Sequence, residues 1–117
     1  MLRFAELDES DNGNDRKGDD GHSGDLSTPV PTLKVDPRYP PALVSAKVEG
    51  EVVLYAIIRK DGTVDSIQLI HSVDPQLDRN AMEALARWKF RPAERNGQPV
   101  DVEAIVHIPF RAVASVF

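Results

Sequence analysis

The sequence has no cysteine, few histidines and no long apolar run, and each shortage excludes a class of protein. Without cysteine, the chain cannot form disulfides, thiolate nucleophiles or cysteine-based zinc sites. The longest apolar run, residues 52–58, has seven residues and cannot span a bilayer. The first residues lead directly into acidic ones, so no signal peptide is visible. If this domain functions outside the cytoplasm, we expect its targeting segment on a longer parent chain.

The histidines and carboxylates form no pattern typical of catalysis or metal binding. His22, His71 and His107 are widely separated and lack the spacing of metal ligands. His71, Ser72 and Asp74 resemble a catalytic triad only by composition, because neighbours in an extended chain point to opposite faces and no glycine-rich turn supplies an oxyanion hole. Residues 8–19 match a calcium-binding loop poorly, since no amphipathic helix flanks them. We therefore expect no enzymatic activity, no cofactor and no metal ion.

The formal charge is concentrated at the N-terminus. Residues 1–28 carry eight acidic and three basic side chains, whereas residues 29–117 carry 11 of each. A folded region without a basic surplus argues against nucleic-acid binding. Residues 8–25 contain no large apolar side chain that could offset the entropy lost on ordering. We therefore predict that residues 1–28 are a disordered acidic tail or linker remnant and that residues 29–117 form the folded domain.

Alternating apolar residues predict three long strands. Residues 51–59 are apolar on both faces, which is typical of a central strand. The turn signal Asp61-Gly62 then predicts a hairpin leading into residues 64–71. Residues 102–111 alternate as well, but Pro109 lacks a backbone donor and therefore indicates a sheet edge. The pattern predicts residues 51–59 at the centre, with residues 64–71 and 102–111 on either side.

Two helices and a small additional strand complete the predicted fold. A short helix is expected after Pro40-Pro41, and residues 32–35 form a possible strand. A longer helix is expected after Asp74 as N-cap, with an apolar stripe that favours a core position for Trp88 over a ligand-stacking one. The sequence therefore predicts an α+β fold, in which a small antiparallel sheet of three to four strands carries two helices packed on one face.

The predicted edge strand is the strongest candidate for a binding site. Long, regular edges tend to aggregate unless they are blunted or used, and an extended segment of another chain can use one by adding a strand. If the missing donor of Pro109 points outward, the alternate residues of the same strand also direct their backbone groups outward. We therefore expect the partner-binding residues of this strand to be Glu103, Ile105, His107, Pro109 and Arg111.

These residues belong to a longer series of motifs whose order and spacing resemble the C-terminal domain of TonB-type energy transducers. The resemblance covers residues 36–111, nearly the whole predicted domain. Its motifs are Tyr39-Pro40, Gly50-Glu51-Val52-Val53-Leu54, Asp61-Gly62-Thr63-Val64, Leu77-Asp78 with Ala81, Trp88-Lys89-Phe90-Arg91-Pro92, Asn96-Gly97-Gln98-Pro99-Val100 and Ile108-Pro109-Phe110.

The resemblance implies a periplasmic domain whose parent chain is anchored in the inner membrane. Domains of this family capture the TonB box, a short extended segment of TonB-dependent outer-membrane transporters, and transmit force from an inner-membrane motor complex. In the family the C-terminal strand receives the box, which corresponds here to residues 102–111. The segment before Tyr39-Pro40 also approaches the transporter, so the resemblance adds Asp36, Arg38 and Tyr39 to the expected partner contacts.

Two alternatives stay open. The membrane anchor and the long proline-rich linker typical of the family are not part of this sequence, and the same domain also occurs on other envelope and sensor proteins. The chain could therefore be a TonB-like interaction or sensory module without energy transduction. A homodimer is also possible, because an unoccupied edge can pair with the same edge of a second copy.

Overall fold

The computed structural model of this chain describes the backbone of residues 2–8 and the whole of residues 26–112. The calcium-like stretch beyond Asp8, His22 and residues 113–117 lie outside this described part. Its helices are α1 (Pro41–Ser45) and α2 (Pro75–Ala86). Its strands are β1 (Leu2–Asp8), β2 (Val30–Leu33), β3 (Gly50–Ile58), β4 (Val64–His71), β5 (Lys89–Arg91), β6 (Ala93–Arg95), β7 (Gln98–Val100) and β8 (Val102–Phe110).

The main sheet has the strand order β1-β8-β3-β4. β3 and β8 are antiparallel partners along their full length, from Gly50 opposite Phe110 to Ile58 opposite Val102, without a register shift. β4 pairs antiparallel with the other side of β3. The predicted central position of β3, with the other two long strands beside it, is therefore confirmed. Two small antiparallel pairs, β2 with β5 and β6 with β7, lie outside this sheet.

The core lies between one face of the sheet and the helices. Alternate residues of β3 and β8 are almost completely buried, as the period of two in a strand requires. The apolar stripe of α2 covers them, and Leu43 of α1 packs at the margin. Trp88 is 1% exposed and its indole nitrogen donates to the carbonyl of Val35 at 3.1 Å, so its core position is confirmed. The α+β architecture with two helices on the sheet is thus as predicted.

The start of α2 explains the clustered polar residues around position 72. Asp74 is the N-cap, and its carboxylate accepts from the backbone amides of Gln76 and Leu77. Asp78, which is only 6% exposed, accepts in return from the Ser72 hydroxyl and from the amide of Val73 at 2.9 Å. Reciprocal bonding of this kind satisfies donors that a helix N-terminus leaves without partners. Ser72 and Asp74 therefore fix the helix start.

Two tight turns organise the small strand pairs, one by contact with the main sheet and one as a hairpin. Gly62, with φ of 89°, accepts a hydrogen bond from the amide of Phe90 at 2.9 Å, and this ties the β3–β4 turn to β5. Asn96 and Gly97 both have positive φ, as a two-residue hairpin between β6 and β7 requires. The strand predicted at residues 32–35 lies at Val30–Leu33, whereas β5, β6 and β7 were not predicted because runs of three residues carry no detectable period.

The predicted edge position of β8 is wrong. β1 lies outside β8 and pairs with it in parallel, from Leu2 opposite Val102 to Asp8 opposite His107. β8 therefore has a partner on each side within one chain. This pairing also gives residues 2–8 a regular structure that the prediction of a disordered tail did not include. Residues 9–25 lie outside the described part, so the expectation of disorder stays a prediction there.

Candidate functional site

The predicted partner-binding residues of β8 lie on the sheet face opposite the core. Val102, Ala104, Val106, Ile108 and Phe110 point inward and are at most 2% exposed. The intervening Glu103, Ile105, His107 and Pro109 are half-buried, and Arg111 is exposed just beyond the end of the strand. The alternation therefore separates a packing face from a face whose side chains remain accessible beside the strand edge.

Side-chain bonds to β3 hold this accessible face in place. The Tyr55 hydroxyl donates to Oε2 of Glu103 at 2.9 Å. Nδ1 of His107 lies 3.0 Å from Oε1 of Glu51. Between these two contacts lies Ile105, which is directly opposite Tyr55 in the register. The face therefore presents an apolar position between two polar pairs, and its rotamers are restrained before any partner arrives.

The outer edge of β8 accepts a strand in parallel orientation. Glu103, Ile105 and His107 are aligned with Arg3, Glu6 and Asp8 of β1, respectively. These three β8 residues are the ones that the sequence assigned to a visiting strand. The pairing contains one register shift, between Arg3 and Glu6, and it ends at His107. Sequence reasoning missed the segment that pairs with them, and their part in binding a partner stays a prediction.

Pro109 lies beyond the part of β8 that β1 covers. On its other side it is aligned with Glu51 of β3. Because proline has no backbone donor, this position contributes only a carbonyl to a neighbouring strand. The last described pair between β1 and β8, Asp8 with His107, lies two positions before it.

The second group of predicted residues lies in the turn before α1. The Tyr39 hydroxyl donates to the carbonyl of Val48 at 2.7 Å, and its ring packs edge-on against Phe110, with ring centroids 5.2 Å apart. Burial, and to a lesser degree the charge of Glu49, raises the pKa of Tyr39 above its ordinary value of 10.0, so the hydroxyl stays protonated and donates. Tyr39 thus holds this turn next to the end of β8.

Asp36 and Arg38 are exposed at the rim of a shallow cavity of about 250 Å³. α2 forms the opposite wall, and Asn80 donates from Nδ2 to the Arg38 carbonyl at 2.9 Å. The sequence gave no signal for this wall, because Asn80 is a surface residue of the helix and its partner lies 42 positions away. Its other lining residues are Val35, Pro37, Glu83, Ala84 and Arg87.

The site has the properties of a surface for binding another polypeptide. The outer side of β8 takes an added strand, as it does with β1, while the turn before α1 offers one acidic and one basic side chain. Among the residues that the structure describes, no group of three histidine or acidic side chains is placed to hold a metal ion. Within the same described residues, no helix has the length and apolar character required to cross a membrane.

Comparison with known families gives one match, which covers most of the described chain. The family described as "Gram-negative bacterial TonB protein C-terminal" matches residues 35–112. The match begins just before the turn that holds Asp36 and Arg38 and ends two residues after β8. Both groups of candidate contacts therefore lie within it, whereas β1 lies outside it.

Individual relatives agree with this match. "Protein TonB" of Xanthomonas campestris pv. campestris (strain B100) is 41% identical over 63 residues, covering 53% of this chain and 28% of that protein. "Protein TonB" of Pseudomonas aeruginosa is 34% identical over 85 residues, covering 70% of this chain and 25% of that protein. The chain thus spans about a quarter of the length of these relatives.

A solved structure shows the same fold. The solution NMR structure of Pseudomonas aeruginosa TonB CTD superposes with a TM-score of 0.62 at 28% sequence identity. The alignment covers 80% of this chain and 92% of that chain.

Proposed function

The chain belongs to the family of Gram-negative bacterial TonB protein C-terminal domains, and from this membership we propose that it is the partner-capturing domain of a TonB-type energy transducer. In this function the domain binds the TonB box of an outer-membrane transporter as an added strand on β8. Force generated by an inner-membrane motor complex then reaches the transporter through this contact. The binding is not catalytic and uses no cofactor.

The observation that carries this proposal is the parallel strand on the outer edge of β8. β1 demonstrates that Glu103, Ile105 and His107 can be aligned with an extended segment without disturbing the pairing of β8 with β3. Main-chain bonds of this type give affinity without demanding one particular sequence, while alternate side chains give selectivity. A transporter segment that replaced β1 would therefore find a complete receiving strand.

The turn before α1 gives a second argument for the same function. Tyr39 packs against Phe110, the last residue of β8, and Asp36 and Arg38 lie three and one positions before Tyr39, so a partner that extended past the end of β8 would approach this turn. Opposite charges at the rim can fix the orientation of a partner more than they add affinity. We therefore assign Asp36 and Arg38 to orientation and the edge of β8 to capture.

Location and force transmission follow from the family and concern the parent protein. We propose that the domain lies in the periplasm and that a segment outside this sequence anchors it in the inner membrane. That outside segment would also make the contact with the motor complex. A TonB-like module without energy transduction would share the capture step but lack these connections.

Capture can be tested by following backbone amide signals by NMR during titration with synthetic peptides copied from the N-termini of TonB-dependent transporters. The titration uses the natural chain and a Glu6→Pro/Leu7→Pro variant in which β1 is disrupted. We expect shifts from Glu103 to His107 and little change along β4. The same peptides with N-methylated backbones serve as a matched control, because they keep every side chain but lose main-chain donors.

The two peptide sets make the outcome decisive. Equal binding of the N-methylated peptides would contradict strand addition, since side chains alone would then account for the affinity. An absence of shifts on β8 in both protein forms at millimolar peptide would contradict the proposed function itself.

A further inference from the structure

The edge at which a partner would bind is already occupied by part of this chain. β1 is separated from the next described residue, Leu26, by 17 residues (9–25). It pairs with the outer side of β8 at five positions, and Leu26 forms an isolated bridge with Arg95 elsewhere in the domain. β1 therefore approaches the sheet as a separate segment on a long connection.

We propose that β1 is a resident strand, a segment of this chain that occupies the β8 edge in cis and that a partner peptide must displace. The part of this proposal that concerns the partner rests on the proposed function. The occupancy of the edge does not, because it follows from the register of β1 against β8 alone.

The length of the connection permits this pairing within one chain. Parallel strands need a connection of about a dozen residues or more, and residues 9–101 separate β1 from β8. The 17 residues between β1 and Leu26 reach at most about 60 Å when extended. This reach exceeds the longest dimension of the molecule, 48 Å. Because β1 belongs to the same chain as β8, its pairing is intramolecular, and a separate peptide has to compete with it. The reach therefore permits pairing of β1 with β8 within one chain.

The pairing itself has the features of a replaceable strand. Its register shifts between Arg3 and Glu6, so the ladder is interrupted, whereas the pairing of β8 with β3 runs through nine aligned positions without a shift. An interrupted ladder leaves residues without a matching partner. Loss of β1 therefore exposes one side of β8 but leaves β8 bound to β3.

The resident strand also protects β8 from pairing with other copies of the chain. An uncovered β8 would present a long row of unpaired backbone groups to other copies of the chain. β1 covers this row from Val102 to His107. As a consequence, β1 and a partner peptide compete for the same side of β8. If β1 is bound about nine-tenths of the time, the apparent affinity for a partner falls about tenfold.

The test compares two double-proline variants with the natural chain. Glu6→Pro/Leu7→Pro changes adjacent residues whose amides point to opposite sides, so one proline removes a donor that faces β8. Asn14→Pro/Asp15→Pro is the matched control, since it also introduces two prolines and removes one acid, but outside β1. The first measurement is hydrogen–deuterium exchange along residues 102–107.

We expect the first variant to exchange these outward amides about tenfold faster and the control to match the natural chain. The probe for binding is the synthetic peptide Leu-Arg-Phe-Ala-Glu-Leu-Asp, which copies Leu2–Asp8. At millimolar concentration it should shift the amides of Glu103 to His107 in the Glu6→Pro/Leu7→Pro variant and do so about tenfold more weakly in the natural chain.

Three results would overturn the proposal. These are unchanged exchange in the Glu6→Pro/Leu7→Pro variant, equal peptide binding by both proteins, and protection of β8 that rises with protein concentration. The last result would assign β1 to a second copy. Failure of transporter peptides to bind either protein form, together with the expected exchange, would instead refute the proposed function and leave the resident strand in place.

Discussion

The two strands that flank β3, β8 and β4, differ in their regularity and in whether a further strand covers the side that faces away from β3. β8 is regular, with nine positions aligned to β3 in succession, and another segment of the chain covers its outer side. β4 has no strand on its outer side within the described residues, but its pairing with β3 shifts register twice. In this strand Ser66 adopts a φ of 56°, which interrupts the extended backbone. One edge is therefore regular and covered, and the other is irregular and uncovered.

This difference shows which of the two strands is the better template for an added strand. Bulges and left-handed residues make a poor template for a visiting strand, so β4 can remain uncovered even though Leu69 and Ile70 are 42% and 54% exposed. A regular strand is a good template and needs either a cover or a partner. β8 has the template and carries its cover on a long connection, which is the arrangement expected where partners exchange.

The strongest test of this comparison removes one apolar side chain from each of the two strands that flank β3. Phe110→Ala, at a residue 2% exposed and in contact with Tyr39, should lower the free energy of unfolding by about 3–5 kcal/mol. Leu69→Ala on β4 should change it by no more than about 0.5 kcal/mol, because this residue is 42% exposed and lies outside the core. Chemical denaturation of both variants measures the difference. Similar losses would show that β4 shares the core equally with β8.

The same contrast shows what could be predicted from the sequence. β3, β4 and β8 were found because alternation over eight or nine residues is a strong signal, and α2 was found because Asp74 and Pro75 mark its start. The position of β8 beside β3 also followed, as did the residues of its accessible face. Most of these features depend on local pattern, and the place of β8 beside β3 followed from the apolar character of β3 on both faces.

β1, the strand that covers the outer side of β8, could not be predicted from alternation. Leu2 and Phe4 alternate, but Leu7 falls out of phase with them, so the segment has no consistent period. The structure has a register shift at this point, between Arg3 and Glu6. Its partner strand also lies at the opposite end of the chain, and sequence pattern gives no distance information over such separations. The loss of alternation between Phe4 and Leu7 was the one sequence signal of this irregular strand.

A second prediction concerns how the β4 side is held to the rest of the molecule. A methyl group added at Gly62 would lie 2.2 Å from the carbonyl oxygen of Phe90, and Gly62 also has a positive φ. Gly97 has a similar φ of 82°, but nothing lies within 4 Å of the added carbon. We expect Gly62→Ala to cost at least about 3 kcal/mol and Gly97→Ala about 1 kcal/mol. Thermal unfolding of the pair measures the contribution of the close approach, and equal costs would show that backbone strain alone matters.

The smallest expected effect concerns Arg59, which links the two sides at one end of the sheet. Its guanidinium bonds to Asp65 of β4 at 2.9 Å and to Asp101, just before β8, at 3.3 Å. The hydrogen bond from Arg59 lowers the pKa of Asp65 below its ordinary value of 3.8. Because the folded pKa is the lower one, this contribution is complete above about pH 3.8 and is lost as the pH falls through the folded pKa.

Asp65→Asn should therefore reduce stability slightly at neutral pH and make the acid side of the stability profile less steep. Both side chains are partly exposed, so the change should be much smaller than that of Gly62→Ala. Urea unfolding from pH 2 to pH 7 measures it, with Asp8→Asn, a carboxylate on β1, as the comparison. A resident strand bound about nine-tenths of the time adds about 1.4 kcal/mol to stability, but Asp8→Asn leaves its backbone in place, so only the Asp65 variant should alter the profile. A larger change in the Asp8 variant would mean that the Asp8 carboxylate contributes to the fold as well.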